Sequence, residues 1–263
     1  MTGSSGPQMP KIAVRGLQKS FAVNRVLAGV DFDVAAGESL VIIGGSGTGK
    51  SVTIKCILGL LVPDAGSIEI DGVETVGLAG RARARLMHRF GMLFQGSALF
   101  DSLAVWENVA FGLIQGRGVP RRRARDIALE KLAAVGLGAE VAALRPAQLS
   151  GGMQKRVALA RAIAAEPEIL FFDEPTTGLD PIMADVINRL IVQCVRGLGV
   201  TAVSITHDMV STRKIADRVA MLHRGRIVWH GPAADIDHSG NPFVDQFVNG
   251  REAGPIHMQI RAA

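Results

Sequence analysis

Residues 44–51 read Gly44-Gly45-Ser46-Gly47-Thr48-Gly49-Lys50-Ser51. This is the G-x-x-x-x-G-K-S pattern of a phosphate-binding loop. The apolar run 40–43 before it predicts a buried strand, and 52–60 after it predicts a helix. Glycines let consecutive backbone N–H groups turn toward one anion, and the helix N-terminus adds favourable partial charge. We therefore expect Lys50 to reach the β- and γ-phosphates of a nucleotide and the Ser51 hydroxyl to bind Mg²⁺.

Composition narrows the class of protein. The 263 residues suit one large domain or a domain with an inserted subdomain, and a hydrophobic fraction of 48% supports a sizeable core. The longest apolar runs are far too short to cross a membrane. The net charge of +5 is compatible with nucleic acid and with an anionic membrane surface. Cys56 and Cys194 predict buried thiols rather than a disulfide, and we expect residues 1–10 to be a disordered lead, not a secretory signal.

Four polar side chains follow predicted strands at the point where each strand ends. Gln95, the pair Asp173 and Glu174, and His207 each come after a short apolar run. Ligands of α/β sheets bind at the carboxyl ends of the strands. Asp173 suits Mg²⁺, Glu174 can orient and deprotonate an attacking water, and His207 can contact a γ-phosphate. Because alternate strand residues face opposite ways, the two acids can have different roles.

Phe21 lies between two predicted antiparallel strands, 12–17 and 26–34, just before the strand that leads to the phosphate-binding loop. An aromatic ring at this position can stack on a purine base, which contributes about 1–3 kcal/mol. The alternative is that Phe21 is an ordinary core aromatic.

A second anion site is predicted where residues 149–154 read Leu149-Ser150-Gly151-Gly152-Met153-Gln154 and open a helix. Ser150 is a good N-cap residue. The two glycines leave backbone N–H groups bare at the helix start, and a cap alone does not need both of them.

In this order, the motifs resemble those of the ATP-binding subunits of ATP-binding cassette (ABC) transporters over residues 11–236. The LSGGMQ stretch separates that family from other phosphate-loop ATPases. The resemblance implies an α/β fold, namely a P-loop NTPase core of the ABC ATPase type with an antiparallel β subdomain and an inserted α-helical subdomain at about 96–150. It also implies an ATPase whose hydrolysis is coupled to transport.

The resemblance further implies a head-to-tail dimer with two ATP molecules between the subunits. Glu174 would be the general base, His207 would hold the γ-phosphate, and Mg²⁺ would be held through Ser51, Gln95 and Asp173. The family commonly has Tyr where this chain, which contains no Tyr, has Phe21. The implied ATP contacts are Phe21, Gly44, Gly45, Ser46, Gly47, Thr48, Gly49, Lys50, Ser51 and Val52 in one chain, with Ser150, Gly151, Gly152 and Asp180 in the other.

A narrower resemblance is to the Mla-type phospholipid-transport ATPases. It rests on residues 93–103, LFQGSALFDSL, on 107–111, ENVAF, and on the tail 243–256. It implies phospholipid transport between inner and outer membranes and a peripheral location on the cytoplasmic face of the inner membrane. The implied partners are a transmembrane permease, a periplasmic lipid-binding protein and a small cytoplasmic regulatory subunit, with no nucleic acid.

Two segments are predicted to contact other proteins. The stretch 96–109 is more apolar than a solvated loop, so it packs internally or docks another protein. Its candidates for contact with the permease are Leu99, Phe100, Val105 and Trp106. Residues 237–263 lie outside the shared core, and we expect a short helix at 243–249 in a tail that packs on a neighbouring subunit.

Alternative functions remain open at this point. One is an ABC ATPase for another substrate, such as an amino acid or a lipoprotein, or one that serves cell division. Another is a non-transport ABC ATPase acting on DNA or ribosomes, although the chain has neither a long heptad stretch nor a second cassette. A kinase with the same phosphate-binding loop would leave LSGGMQ unexplained.

Overall fold

Two sheets form the framework of the fold. The computed structural model describes residues 9–257, so most of the expected disordered lead lies outside the described residues. The strands of that range are β1 (Ile12–Phe21), β2 (Asn24–Val34), β3 (Ser39–Ile43), β4 (Ala65–Ile70), β5 (Val73–Glu74), β6 (Phe90–Leu93), β7 (Ile169–Asp173), β8 (Thr201–Thr206), β9 (Arg218–His223) and β10 (Arg226–Pro232). Its α-helices are α1 (Lys50–Ile57), α2 (Gly80–Met87), α3 (Val105–Phe111), α4 (Arg121–Ala134), α5 (Gly151–Ile163), α6 (Pro181–Leu198), α7 (Met209–Ile215) and α8 (Pro242–Val248).

The larger sheet has six strands in the order β10-β9-β3-β8-β7-β6. Neighbours from β9 to β6 are parallel, and β10 closes the edge as an antiparallel hairpin with β9. Every residue of β3, β7 and β8 is buried, as expected for central strands covered on both faces. Because these strands are parallel, the residues that follow β3, β8, β7 and β6 meet at one edge.

The smaller sheet is antiparallel, with the order β2-β1-β4-β5. Side chains of β1 and β2 form one apolar core with α1 and one face of the larger sheet. A second core, on the other face, joins α5 and α6 to the helical segment that contains α3 and α4. These features confirm the α/β class with an antiparallel β subdomain and an inserted helical subdomain.

The C-terminal tail forms the predicted short helix, α8, and packs on its own chain. Val244 is fully buried, and the Phe243 ring lies 5.0 Å from that of His223. The tail up to Ile256 therefore packs on the hydrophobic core of its own chain. Contact of the tail with a second subunit stays a prediction, and residues 258–263 lie outside the described range.

No helix within residues 9–257 combines the length and the hydropathy that a bilayer span requires. Cys56 and Cys194 are free and buried, as predicted. Burial raises the pKa of each thiol to about 11.

A cluster of charged side chains joins the two sheets at the end opposite the phosphate-binding loop. Lys11 Nζ lies 3.0 Å from Asp71 Oδ2 and 2.6 Å from Glu168 Oε2. Arg89 donates to both carboxylate oxygens of Glu168, at 2.9 and 2.7 Å, and also pairs with Asp71. The hydrogen bonds from Arg89, followed by those from Lys11, hold the pKa of Glu168 at about 2.

We expect Glu168→Gln to lower the free energy of unfolding by about 1 kcal/mol at neutral pH, a value reduced for the half-exposed side chain. Since the folded-state pKa is depressed, this stabilisation is present above the unfolded value of about 4.3 and is lost as pH falls toward 2. Urea unfolding at several pH values measures it, with Glu130→Gln as the exposed control. An equal loss of unfolding free energy at pH 7 and pH 3 would contradict the claim that the ionised Glu168 stabilises the fold.

Candidate functional site

Predicted site residues that follow four different strands line one cleft of about 730 Å³, although Gly44, Thr48 and Asp173 are not among its lining residues. That volume lies within the range of small-molecule sites. The phosphate-binding loop follows β3, Glu174 follows β7, His207 follows β8 and Gln95 follows β6. The lining residues are Phe21, Val26, Gly45, Ser46, Gly47, Gly49, Lys50, Ser51, Val52, Gln95, Glu174, His207 and Phe247.

Two glycines of the loop are required by its geometry. Gly44 has φ 149°, and a Cβ there would overlap the carbonyl oxygen of Leu222 on β9. Gly49 has φ 107°, and a Cβ there would lie 2.6 Å from Leu27 Cδ2. The Thr48 hydroxyl closes the loop by donating to the Gly45 carbonyl at 2.9 Å. The sequence pattern and the packing therefore specify the same tight turn into α1.

Lys50 is buried at the first turn of α1 with its ammonium folded over the loop. Its Nζ donates to the carbonyls of Gly44 and Gly45, at 2.7 and 3.0 Å. Burial lowers the pKa of Lys50, while the nearby Glu174 and Asp173 act in the opposite direction. The loop thus holds one cation beside backbone N–H groups, which is an arrangement suited to phosphate.

Ser51 and Asp173 supply oxygen ligands beside the loop. Ser51 Oγ lies 3.4 Å from Asp173 Oδ1. Burial raises the pKa of Asp173, and a neighbouring divalent cation would favour its ionised form. Within residues 9–257 no group of three or more His, Cys, Asp or Glu side chains is placed to hold a metal ion. The Ser51 hydroxyl and the Asp173 carboxylate fit Mg²⁺, which binds through one or two protein oxygens, water and substrate phosphates.

Glu174 is held rigidly at the end of β7. It adopts φ 48°, an uncommon conformation for a residue with a side chain. Its Oε1 lies 2.9 Å from His207 Nδ1, and its Oε2 accepts from the hydroxyls of Thr177 and Thr206 at 3.1 and 3.4 Å. Glu174 is 8% exposed, whereas the His207 side chain is 61% exposed. The carboxylate is therefore fixed at the cleft, and the imidazole can reach both it and a ligand.

Two basic residues of α5 hold the turn that contains Gln95, and sequence reasoning missed both. The buried Lys155 donates to the Gln95 carbonyl. Arg161 donates to the carbonyls of Ser97 and Ala98, each at 2.6 Å. Both of those residues have positive φ, 61° and 48°. The only signal in the sequence is that these cations stand on a helix with many apolar residues.

Arg161→Ala leaves the two carbonyls of this turn without their charged donor. We expect the free energy of unfolding to fall by about 2 kcal/mol and the Tm to fall by about 4–8 °C. Thermal unfolding measures it against Arg156→Ala, since Arg156 donates one bond to Gly136 at 3.0 Å from the same helix. Equal stability of the two variants would contradict the role of Arg161.

The second predicted anion site lies outside this cleft. Ser150 caps α5 as predicted, accepting from the Met153 N–H at 3.3 Å. A Cβ on Gly152 would lie 2.7 Å from Met183 Cγ and Sδ, so packing on α6 explains this glycine. Gly151 is exposed, and a Cβ there would meet only Leu179, at 3.9 Å. Nothing in the described part of the chain explains why residue 151 is glycine.

Asp180, the remaining predicted contact, is exposed at the start of α6. Its Oδ1 accepts from the N–H groups of Ile182 and Met183, both at 3.0 Å. It therefore caps the helix within its own chain. The structure does not bring Asp180 or residues 150–152 to the phosphate-binding loop of the same chain.

Comparison with known proteins identifies the class. Residues 27–177 match the family described as ABC transporter. The chain is 40% identical over 252 residues to the probable ribonucleotide transport ATP-binding protein mkl of Mycobacterium leprae, covering 96% of this chain and 72% of the relative. It is 39% identical over 234 residues to the intermembrane phospholipid transport system ATP-binding protein MlaF of Escherichia coli, covering 89% of this chain and 86% of the relative.

Among solved structures, the fold is similar to the dimeric post-hydrolysis state of the ATP-binding cassette MJ0796 bound to ADP and Pi. The TM-score is 0.78 at 31% identity, over 84% of this chain and 98% of that one. The chain therefore belongs to the ABC transporter family. It is an ATP-binding subunit that hydrolyses ATP, which confirms the predicted fold, family and enzyme class.

Proposed function

We propose that this chain drives phospholipid transport between inner and outer membranes, from the cytoplasmic face of the inner membrane. The observation that carries the proposal is the similarity to MlaF of Escherichia coli along 89% of the chain. The segments 93–103 and 107–111, which resemble Mla-type ATPases, lie next to the nucleotide cleft and in the helical subdomain. In this proposal, the motion that accompanies ATP hydrolysis begins beside Gln95 and passes through these segments to the permease.

The working unit of the proposal is a head-to-tail dimer. The similar cassette MJ0796 is described as dimeric with ADP and Pi. The exposed Gly151, with room around it in its own chain, supports a contact from outside. Ser150, Gly151, Gly152 and Asp180 of one copy would meet the ATP held by residues 44–52 of the other. Bare N–H groups at the start of α5 suit the γ-phosphate.

In the proposed mechanism, Glu174 accepts a proton from the attacking water while its second oxygen stays bonded to Thr177 and Thr206. His207, bonded to Glu174, contacts the γ-phosphate and places the carboxylate beside it. Ser51, Gln95 and Asp173 would hold Mg²⁺, which when bound neutralises phosphate charge. Phe21, 45% exposed at the cleft, offers its ring to the base.

The proposed contact with a transmembrane permease needs one correction. Val105 is fully buried in the core, so it cannot dock a partner. Leu99 and Trp106 are partly buried, and the Trp106 ring lies beneath the Arg121 guanidinium at 4.7 Å. Phe100 is 43% exposed and packs on Phe111, with ring centroids 4.5 Å apart. Phe100 is therefore the strongest candidate for this contact.

Purification of the chain from native membranes, with identification of associated proteins and lipids, tests the function. We expect a permease, a periplasmic lipid-binding protein, a small regulatory subunit and phospholipid. A permease that carries ribonucleotide would instead favour the substrate class in the name of mkl, and one that carries an amino acid or a lipoprotein would favour those alternatives. Association with ribosomes or DNA would contradict the proposal.

A further inference from the structure

One aromatic side chain of the nucleotide cleft, Phe247, lies outside the nucleotide-binding sequence motifs described above. Phe247, on the tail helix α8, lines the same cleft as Phe21 and the phosphate-binding loop. We propose that Phe247 is a second apolar wall for the base or ribose of ATP, so that the C-terminal tail is part of the nucleotide site of its own chain. This inference rests on ATP binding at residues 44–52 and is independent of the transported substrate.

The tail is anchored to the domain on the side of the loop where β9 ends. The Asn241 side chain donates to the Val228 carbonyl on β10 at 2.9 Å, and its Oδ1 caps α8 by accepting from Phe243 N at 2.9 Å. Val244 is fully buried beneath the helix. The carbonyl oxygen of Leu222, on the neighbouring β9, occupies the space that a Cβ on the loop residue Gly44 would need. The same hairpin therefore supports α8 and the phosphate-binding loop.

A buried amide fixes the rotation of α8. Gln246 Nε2 lies within 3.1–3.2 Å of the carbonyls of Arg251, Glu252 and Ile256, and its Oε1 accepts from Ile256 N at 2.7 Å. Gly254 has φ 155°, and a Cβ there would overlap the Gln246 amide. Residues 251–256 thus fold back over the helix. Because Gln246 is held in this way, the adjacent Phe247 has a defined position at the cleft.

The lining of the cleft combines two kinds of chemistry. The phosphate-binding loop, with Lys50 and backbone N–H groups, recognises phosphate whatever is attached to it. Phe21, Val26 and Phe247 present apolar and aromatic surface, which suits the flat face of a base and the carbon skeleton of a ribose. A contact to Phe247 should therefore strengthen binding of ATP but not of inorganic triphosphate.

The test measures the Kd of ATP and of inorganic triphosphate for the full chain by calorimetric titration. We expect Phe247→Ala to raise the Kd of ATP about tenfold, which lies in the range of base–aromatic contacts. The Kd of triphosphate should stay unchanged. Phe247→Leu keeps apolar volume and should raise the Kd of ATP by a smaller factor. It replaces the alanine variant in the test if that variant fails to fold. Val248→Ala is the matched control, since Val248 packs on the core from the same helix.

Two results would overturn the inference. One is an unchanged Kd of ATP in Phe247→Ala and Phe247→Leu. The other is an equal loss for ATP and triphosphate, which would mean that α8 only supports the loop. Purification of the wild-type chain without phospholipid would instead contradict the proposed substrate and leave Phe247 in the nucleotide site.

Discussion

Glu174→Gln should lower the rate of ATP hydrolysis by about 10²–10⁴-fold while ATP still binds, because glutamine cannot accept the proton of the attacking water. The substitution keeps the size of the side chain and its capacity to bond Thr177, Thr206 and His207. Phosphate release under saturating ATP, together with an ATP titration of the same preparation, separates the chemical step from binding.

The matched control for this variant is Glu168→Gln. Glu168 lies just before β7 and Glu174 just after it, so both substitutions remove a carboxylate from the ends of one strand. Glu168→Gln should lower stability and leave the hydrolysis rate unchanged. If Glu174→Gln hydrolysed ATP at a rate near that of the wild type, Glu174 would not be the base.

Lys50→Ala should weaken ATP binding by about ten- to a hundredfold. A charge-assisted hydrogen bond contributes about 1.5–3 kcal/mol, and each 1.4 kcal/mol is tenfold in Kd. The buried ammonium is the cation that two loop carbonyls hold beside the phosphate-binding N–H groups. Titration of ATP measures the effect, with Lys55→Ala on the exposed face of α1 as the control. Equal affinities of the two variants would contradict the role of Lys50.

Much of the site could be predicted because its residues follow sequence patterns with a physical cause. Lys50 and Ser51 sit at a fixed spacing from glycines that the loop requires, since Gly44 and Gly49 leave no room for a Cβ. Glu174 and His207 follow apolar runs that are central parallel strands, so their meeting at one edge follows from topology.

Other parts depend on contacts that leave no regular spacing in the sequence. Lys155 and Arg161 bond to backbone carbonyls some sixty residues away, and any residue type supplies a carbonyl. Phe247 lines the cleft because α8 packs on its own chain, which the composition of the tail does not indicate. Val105 looked like an exposed apolar residue, but the helical subdomain buries it.

The central claim is that one chain carries half of an active site and that a second copy completes it. Mixing Lys50→Ala subunits with Gly151→Asp subunits tests this most directly, because Gly151 has room for a side chain in its own fold. Each variant alone carries a lesion in both sites of a head-to-tail dimer, whereas a mixed dimer keeps one intact site. ATP hydrolysis by the mixture that neither variant shows alone would support the claim. A mixture as inactive as its components, or full activity of Gly151→Asp alone, would contradict it.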